Sequence, residues 1–360
     1  MKILFFIESL YAGGKERRLV ELLKILSKNF KLNLAVVITK KDIHYKEVLD
    51  LPIEIHIIER KHFKKDPGLF FKFFKIMKKF EPDIIHVWGN MAALYAIPAK
   101  IILRKKMINS QITAAPKIFK GSLLNHITTF FFSNVIISNS HAGIISYNAP
   151  KEKSIVINNG FDFSRIAKLE APDKIRKRLS ITTKFVVGMV ATFCELKDYT
   201  TYIKAALTIV KTRTDISFLC IGSGDSSQYQ KMVPNEFKRK ILFLGKQENV
   251  ESIMNICYMG VLTTYTEGIP NTIMEFMALS KPVIVTNGGG SKELVLDKKN
   301  GFLISLSNPD ELTEKITFLL DNSDEAIKLG NKGQIRINNE FGIEKMVNSF
   351  YKLYQDLCAE

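Results

Sequence analysis

The chain has 360 residues, 46% of them hydrophobic and 24% charged, which excludes disordered, fibrous and repeat classes and, by length, suggests two domains. The formal net charge of +16 is concentrated in one half: residues 1–160 carry 26 Lys and Arg against 12 Asp and Glu, whereas residues 161–360 carry 26 against 24. A cationic half suits an anionic bilayer surface or a phosphorylated small molecule; with no zinc-finger spacing, RNP-like aromatic signature or Arg-rich tail in the sequence, nucleic acid is not an expected partner.

In chain order, Lys2–Ile7 is an apolar run stopped by Glu8, too short for a signal peptide or a membrane span, and reads as a buried strand. The glycines Gly13 and Gly14 follow it directly, where they let backbone approach a ligand, with Lys15 and Arg17 beside them. Further strands are predicted at Asn33–Ile38, Glu54–Ile58, Asp83–Trp88, Val135–Asn139 and Ser154–Ile157. Between them, the basic run Arg60–Lys65 precedes a predicted helix over Gly68–Lys79, with Phe70, Phe71, Phe74 and Met77 on an apolar side and Lys72, Lys75 and Lys79 elsewhere. Such a helix either packs on its own sheet or lies on an anionic membrane. His86, in an apolar strand with Trp88 and Asn90 close by, is either a ligand-facing group or a hydrogen-bonded core residue.

Asn158-Asn-Gly-Phe-Asp162 is a turn cluster, and the β-then-α order starts again beyond it, with strands predicted at Phe185–Val190, Ile216–Ile221, Ile241–Leu244, Gly260–Thr263 and Pro282–Thr286. Strands apolar on consecutive positions suit parallel sheets covered by helices on both faces. The expected organisation is a doubly wound α/β domain over residues 1–160, a second over 161–342, and a helix within 343–360 crossing back to the first. Ligands of such sheets bind beyond the carboxyl ends of the strands, so two facing sheets would enclose a cleft. The four cysteines, Cys194, Cys220, Cys257 and Cys358, are widely spaced without a C-x-x-C and fit a reducing, cytoplasmic setting.

The longest signal is Thr266-Glu-Gly-Ile-Pro-Asn-Thr-Ile-Met-Glu-Phe-Met-Ala278. Gly268 allows close approach, Pro270 suits a first helical turn, and the N–H groups of a helix starting there offer a phosphate site. Glu267 and Glu275 flank that site, which is sensible if each accepts hydrogen bonds from hydroxyls, as sugars supply.

This segment resembles the E-x7-E signature of family 4 retaining glycosyltransferases with the GT-B fold. Other stretches agree in order and spacing: Gly13-Gly-Lys-Glu-Arg17 is similar to the family's G-G-x-E-R loop, Pro82-Asp-Ile-Ile-His86 to its fourth-strand motif, and Asn158–Asp162 to its N-G-x-D linker. Val187–Val190 with Lys197-Asp198, and Gly222-Ser-Gly224, look like the first two strand ends of its donor domain. The resemblance implies two Rossmann-like domains and transfer of a sugar from a nucleoside-diphosphate sugar to a glycan or lipid-linked acceptor in surface-polysaccharide synthesis; the basic first half adds the expectation of a peripheral place on the inner face of the plasma membrane. In the implied roles, Glu267 holds donor-sugar hydroxyls and Glu275 the ribose. The segment Gly268, Ile269, Pro270, Asn271 and Thr272, with the Lys197 ammonium, takes the pyrophosphate. Glu267 and Lys197 are the implied catalytic pair, and Gly13, Gly14, Thr192 and Gly222 border the donor. Lys15, Arg17, His86, Trp88 and Asn90 are the implied acceptor side. No cofactor or metal is expected, since a cation and helix amides stabilise a departing diphosphate and the sequence has no D-x-D.

Two departures stand out. Thr192 or a neighbour occupies the place where many members carry a second phosphate-binding arginine, and Ile108–Pro116 lacks the family's histidine after the fifth strand. They leave room for a non-catalytic nucleotide-sugar binder. The weak fingerprint Ile221-Gly-Ser-Gly-Asp-Ser-Ser227 offers a second rival, a nicotinamide-dependent oxidoreductase.

Overall fold

The computed structural model describes residues 1–11, 13–60, 66–116 and 123–359, which divide into two units, Met1–Gly160 with Ile343–Glu360 and Phe161–Gly342. Residues 61–65 of the basic run lie outside the described residues.

The first unit carries strands β1 (Lys2–Ile7), β2 (Asn33–Ile38), β3 (Glu54–Ile57), β4 (Ile84–Trp88), β5 (Lys106–Ile112), β6 (Val135–Ser138) and β7 (Ser154–Val156). They form one parallel sheet in the order β3-β2-β1-β4-β5-β6-β7. Helices α1 (Gly14–Asn29), α2 (Gly68–Phe80), α3 (Asn90–Ile102), α4 (Leu123–Phe132) and α5 (His141–Ser146) connect them. Side chains alternate across the pleat, so Ile3, Phe5 and Ile7 enter the core beneath α1 while Leu4 and Phe6 pack beneath α2 and α3. That two-sided burial is why the strand has no polar position after Lys2. In α2 the buried residues are Leu69, Phe73, Met77 and Phe80, whereas Phe71 is 75% exposed; the apolar face is thus rotated from the expected set of Phe70, Phe71, Phe74 and Met77, because Phe73 stacks on Phe6 with ring centres 4.6 Å apart.

The second unit carries β8 (Phe185–Val190), β9 (Ile216–Ile221), β10 (Ile241–Gly245), β11 (Met259–Leu262), β12 (Val283–Thr286) and β13 (Phe302–Ile304), parallel in the order β10-β9-β8-β11-β12-β13. Its helices are α6 (Pro172–Arg178), α7 (Tyr199–Thr212), α8 (Ser227–Gln230), α9 (Val250–Asn255), α10 (Asn271–Ala278), α11 (Ser291–Leu294), α12 (Pro309–Asp321) and α13 (Ser323–Glu340).

A last helix, α14 (Ile343–Ala359), belongs to the first unit. It buries Ile343, Met346, Val347, Phe350, Tyr354 and Leu357, an i, i+3, i+4, i+7 stripe, against α1 in the core that β1 and β2 share. Two strands, β5 and β13, were not among the expected ones. β5 hides its pattern with Asn109, Ser110 and Gln111, all buried, and β13 is three residues long.

Candidate functional site

In each sheet the connection order reverses beside the first strand, between β1 and β4 in the first unit and between β8 and β11 in the second. Ligands of doubly wound sheets bind beyond the carboxyl ends at such reversals. In the second unit, two loops meet there, one following β8 and one following β11. Lys197 and Thr264 pair as an antiparallel bridge, Asp198 N donates to Thr263 O at 3.0 Å, and Thr263 Oγ1 donates to Asp198 O at 2.7 Å. Tyr265 N and Thr264 Oγ1 both donate to Leu196 O at 3.0 Å. The buried Asp198 carboxylate caps α7 by accepting from Thr201 N at 3.0 Å, and it also accepts from Ser307 Oγ at 3.2 Å. The position of Lys197 is therefore set by backbone on both sides.

The clamp brings the Lys197 ammonium into contact with Glu267 Oε1. Burial pushes Lys197 down to about 8, the neighbouring Cys194 opposing the shift, and the Glu267 carboxylate favours the charged ammonium. Glu267 is itself anchored, its carbonyl accepting from Gly290 N at 3.0 Å. Helix α10 starts three residues after Gly268. Pro270 stands at the cap and not inside the first turn, and its carbonyl accepts the first helical bonds, from Ile273 N and Met274 N at 3.2 Å each. The amides of Asn271 and Thr272 precede those bonds, at the positive end of the helix.

Glu275, one turn into α10, is 2% exposed and accepts from Arg165 Nη2 at 2.7 Å. Arg165 also donates through Nε to Glu251 Oε1 at 3.0 Å. Sequence reading passed over Arg165: its one signal is a lone cation just after the Asn158–Asp162 turn, and nothing in the sequence joins it to carboxylates 86 and 110 residues away.

Gly222 and Gly224 have φ of +157° and +100° and close the neighbouring strand end. A Cβ on Gly222 would fall 1.9 Å from Ala191 O, and one on Gly224 2.5 Å from Phe193 O. These glycines serve loop packing after β9, the second strand of its unit, which removes the reading of a dinucleotide fingerprint opening a first βα turn. Thr192, on the loop they support, is exposed.

In the first unit, Gly13 is extended (φ −171°) at the cap of α1 and Gly14 is its first residue. The Lys15 ammonium lies 3.5 Å from where a Cβ of Gly89 would stand, and Gly89 (φ +126°) ends β4, so Lys15 meets the other loop of the reversal point. Asn90 opens α3 with Oδ1 buried and without a hydrogen-bond partner. Arg17 lies over the Tyr45 ring at 5.7 Å. His86 and Trp88 are a correction: both are fully buried and offer no ligand-facing surface. His86 is hydrogen-bonded at Nδ1 to Tyr354 Oη (2.8 Å) and at Nε2 to Ser110 Oγ (2.7 Å). Burial and the nearby Arg18 hold it neutral. Trp88 lies 5.2 Å from the buried Arg18 guanidinium, which donates to Ile157 O at 2.8 Å. α14 and β5 supply the two polar partners, Tyr354 and Ser110, that make a histidine tolerable in this strand.

Residues 171–336 match the family model of glycosyl transferases group 1. Over 149 residues the chain is 36% identical to an uncharacterised glycosyltransferase of Methanocaldococcus jannaschii, an alignment spanning 40% of this chain and 42% of that protein. Over 357 residues it is 24% identical to the N-acetylgalactosamine-N,N'-diacetylbacillosaminyl-diphospho-undecaprenol 4-alpha-N-acetylgalactosaminyltransferase of Campylobacter jejuni, covering 93% of this chain and 94% of that enzyme. The fold is that of the crystal structure of Anabaena HepE in complex with UDP and glucose, with a TM-score of 0.83 at 21% identity over 99% of both chains.

Proposed function

The chain is a glycosyltransferase of the GT-B fold, and on that premise we propose that it transfers a sugar, with retention and without a metal, from a nucleoside-diphosphate sugar to a hydroxyl of a glycan carried on a lipid diphosphate. The observation that carries this reading is the Lys197–Glu267 contact, held by paired loops at the reversal point and next to the start of α10.

Without donor, the ammonium and the carboxylate neutralise each other. An arriving diphosphate is a stronger partner for Lys197, since it carries more charge and reaches the α10 amides as well. Glu267 is then released to accept hydrogen bonds from the sugar, while Glu275 accepts from the ribose. As the bond from the anomeric carbon to the diphosphate oxygen breaks, its electron pair goes to that oxygen. There the ammonium and helix amides stabilise the growing charge more than they stabilise the ground state. The acceptor hydroxyl forms the new C–O bond on the same face and passes its proton to the departing phosphate oxygen, so no protein carboxylate acts as nucleophile.

The acceptor class is supported by the Campylobacter relative, whose name specifies a diphospho-undecaprenol-linked acceptor. A peripheral position on the inner, anionic face of the plasma membrane is supported by the first unit. There α3 packs between α2 and α4, and Phe71, Ile102 and Phe131 are exposed on these three helices. Lys75 and Lys78 are exposed on α2, and Lys153 lies over the Phe131 ring at 6.0 Å. Among the described residues no helix is long and apolar enough to cross a membrane.

The test is donor turnover: wild-type protein releases a nucleoside diphosphate from one of a panel of nucleotide sugars when given a lipid-diphosphate-linked acceptor. Tight binding of a nucleotide sugar with no turnover on any acceptor would make the protein a binder.

A further inference from the structure

Glu275 presents a problem that its proposed task does not solve. A carboxylate 2% exposed must have its charge compensated, yet a carboxylate that is to receive a ribose must keep acceptor capacity and a fixed plane. We propose that Arg165 is a positioning residue for ribose recognition, holding the Glu275 carboxylate in the orientation that accepts from the sugar hydroxyls of the nucleotide. This rests on the ribose-binding reading of Glu275.

The geometry favours orientation over simple neutralisation. Arg165 lies in a short 3₁₀ turn, Phe163–Ile166, and its guanidinium is fixed from two further sides: Nε donates to Glu251 Oε1 at 3.0 Å, and the plane lies over the Phe161 ring at 5.1 Å. Phe161 is tied down in turn, its N–H donating to Phe341 O at 2.8 Å. The Arg165 bond reaches Glu275 at one oxygen, Oε1. A carboxylate accepts about four hydrogen bonds, so this contact sets its plane without consuming it. One guanidinium facing two carboxylates also leaves the cluster with a net charge of about −1, and a charged acceptor binds neutral hydroxyls more strongly than a neutral one does. A single Arg–Glu pair would give up that advantage; Glu251 preserves it.

The experiment compares calorimetric affinities for UDP, GDP and ADP with those for their 2′-deoxy forms, on wild type, Arg165→Gln and Glu251→Gln. Wild type is expected to bind its preferred diphosphate about tenfold or more tighter than the deoxy form, the effect of one hydrogen bond to a charged acceptor. In Arg165→Gln that ratio falls below about threefold. If this variant does not fold, Glu251→Gln carries the test, since it releases the anchor and lowers the ratio. A ratio unchanged in the folded variants, with both affinities reduced alike, would show Arg165 to be merely structural and overturn the proposal, as would a wild type that does not discriminate. Failure of wild type to bind any of the three diphosphates would instead strike at the donor-binding reading itself.

Discussion

The ammonium of Lys197 touches the carboxylate of Glu267 across 70 residues of sequence, and each is positioned by backbone hydrogen bonds that do not depend on the other. Removing either charge should therefore change ligand chemistry more than stability. Lys197→Ala is expected to weaken nucleoside-diphosphate binding by about 10- to 100-fold, the loss of a charge-assisted contact worth about 1.5–3 kcal/mol. Isothermal titration checks this, and unchanged affinity refutes the phosphate role.

The same lysine sets a pH dependence. Only the protonated ammonium attracts a diphosphate, and burial brings its loss of a proton down to about 8. Diphosphate affinity should thus fall as pH rises above about 8, by up to about tenfold per unit for a single proton, and the slope should vanish in Lys197→Ala. A flat profile from pH 7 to 10 in wild type would contradict this.

Glu267→Gln keeps the shape and removes the charge proposed to hold the donor sugar. It is expected to lower the transfer rate by about 100-fold or more while leaving the affinity for the sugar-free diphosphate within about threefold, because the lost interaction belongs to the sugar. Product release against donor concentration measures both.

Gly222→Ala places a Cβ against a backbone carbonyl at a φ that L side chains rarely adopt. A destabilisation of about 3 kcal/mol is expected, seen as a lower thermal midpoint. Wild-type stability in this variant would mean that the β8 and β9 loops separate easily.

His86 makes the first unit acid-sensitive. Its folded pKa lies well below 6.5, so the unfolded chain binds the extra proton first as pH falls. The stabilising contribution is complete above about 6.5 and is lost progressively below it. The urea midpoint should drop between pH 7 and pH 5, and His86→Gln should flatten that part of the profile.

Binding to vesicles rich in phosphatidylglycerol should fade between 50 and 500 mM salt, roughly the range over which surface charges become screened. Phe71→Ala should weaken what remains. Salt-independent sedimentation would point to insertion and away from surface charge.

Strands buried on two faces were readable to the residue: Lys2–Ile7, Asn33–Ile38, Phe185–Val190 and Ile216–Ile221 are apolar apart from Lys2, Asn33 and Ser217 because helices cover both sides. β5 was hidden because Asn109, Ser110 and Gln111 find their partners in Ser133, His86 and Thr129, which lie far along the chain. The site divides in the same way. Lys197, Glu267 and Glu275 could be singled out because local motif and helix-start chemistry mark them. The Arg165 bridge could not, and for His86 the sequence left the core and ligand-facing readings both open, since the deciding partners, Glu275 and Tyr354, lie more than a hundred residues away. Pattern reading sees periodicity and turns; it does not see which distant group satisfies a buried polar atom.

Helix α14 lends the first unit six buried side chains, yet it leaves the ribosome only after the entire second unit. While the 182 residues of Phe161–Gly342 are being made, this face of the β1-to-β7 sheet is therefore covered by α1 but lacks those six side chains. A chain stopped after Gly342 would lack all six, and the imidazole of His86 would keep Ser110 but lose its Tyr354 partner.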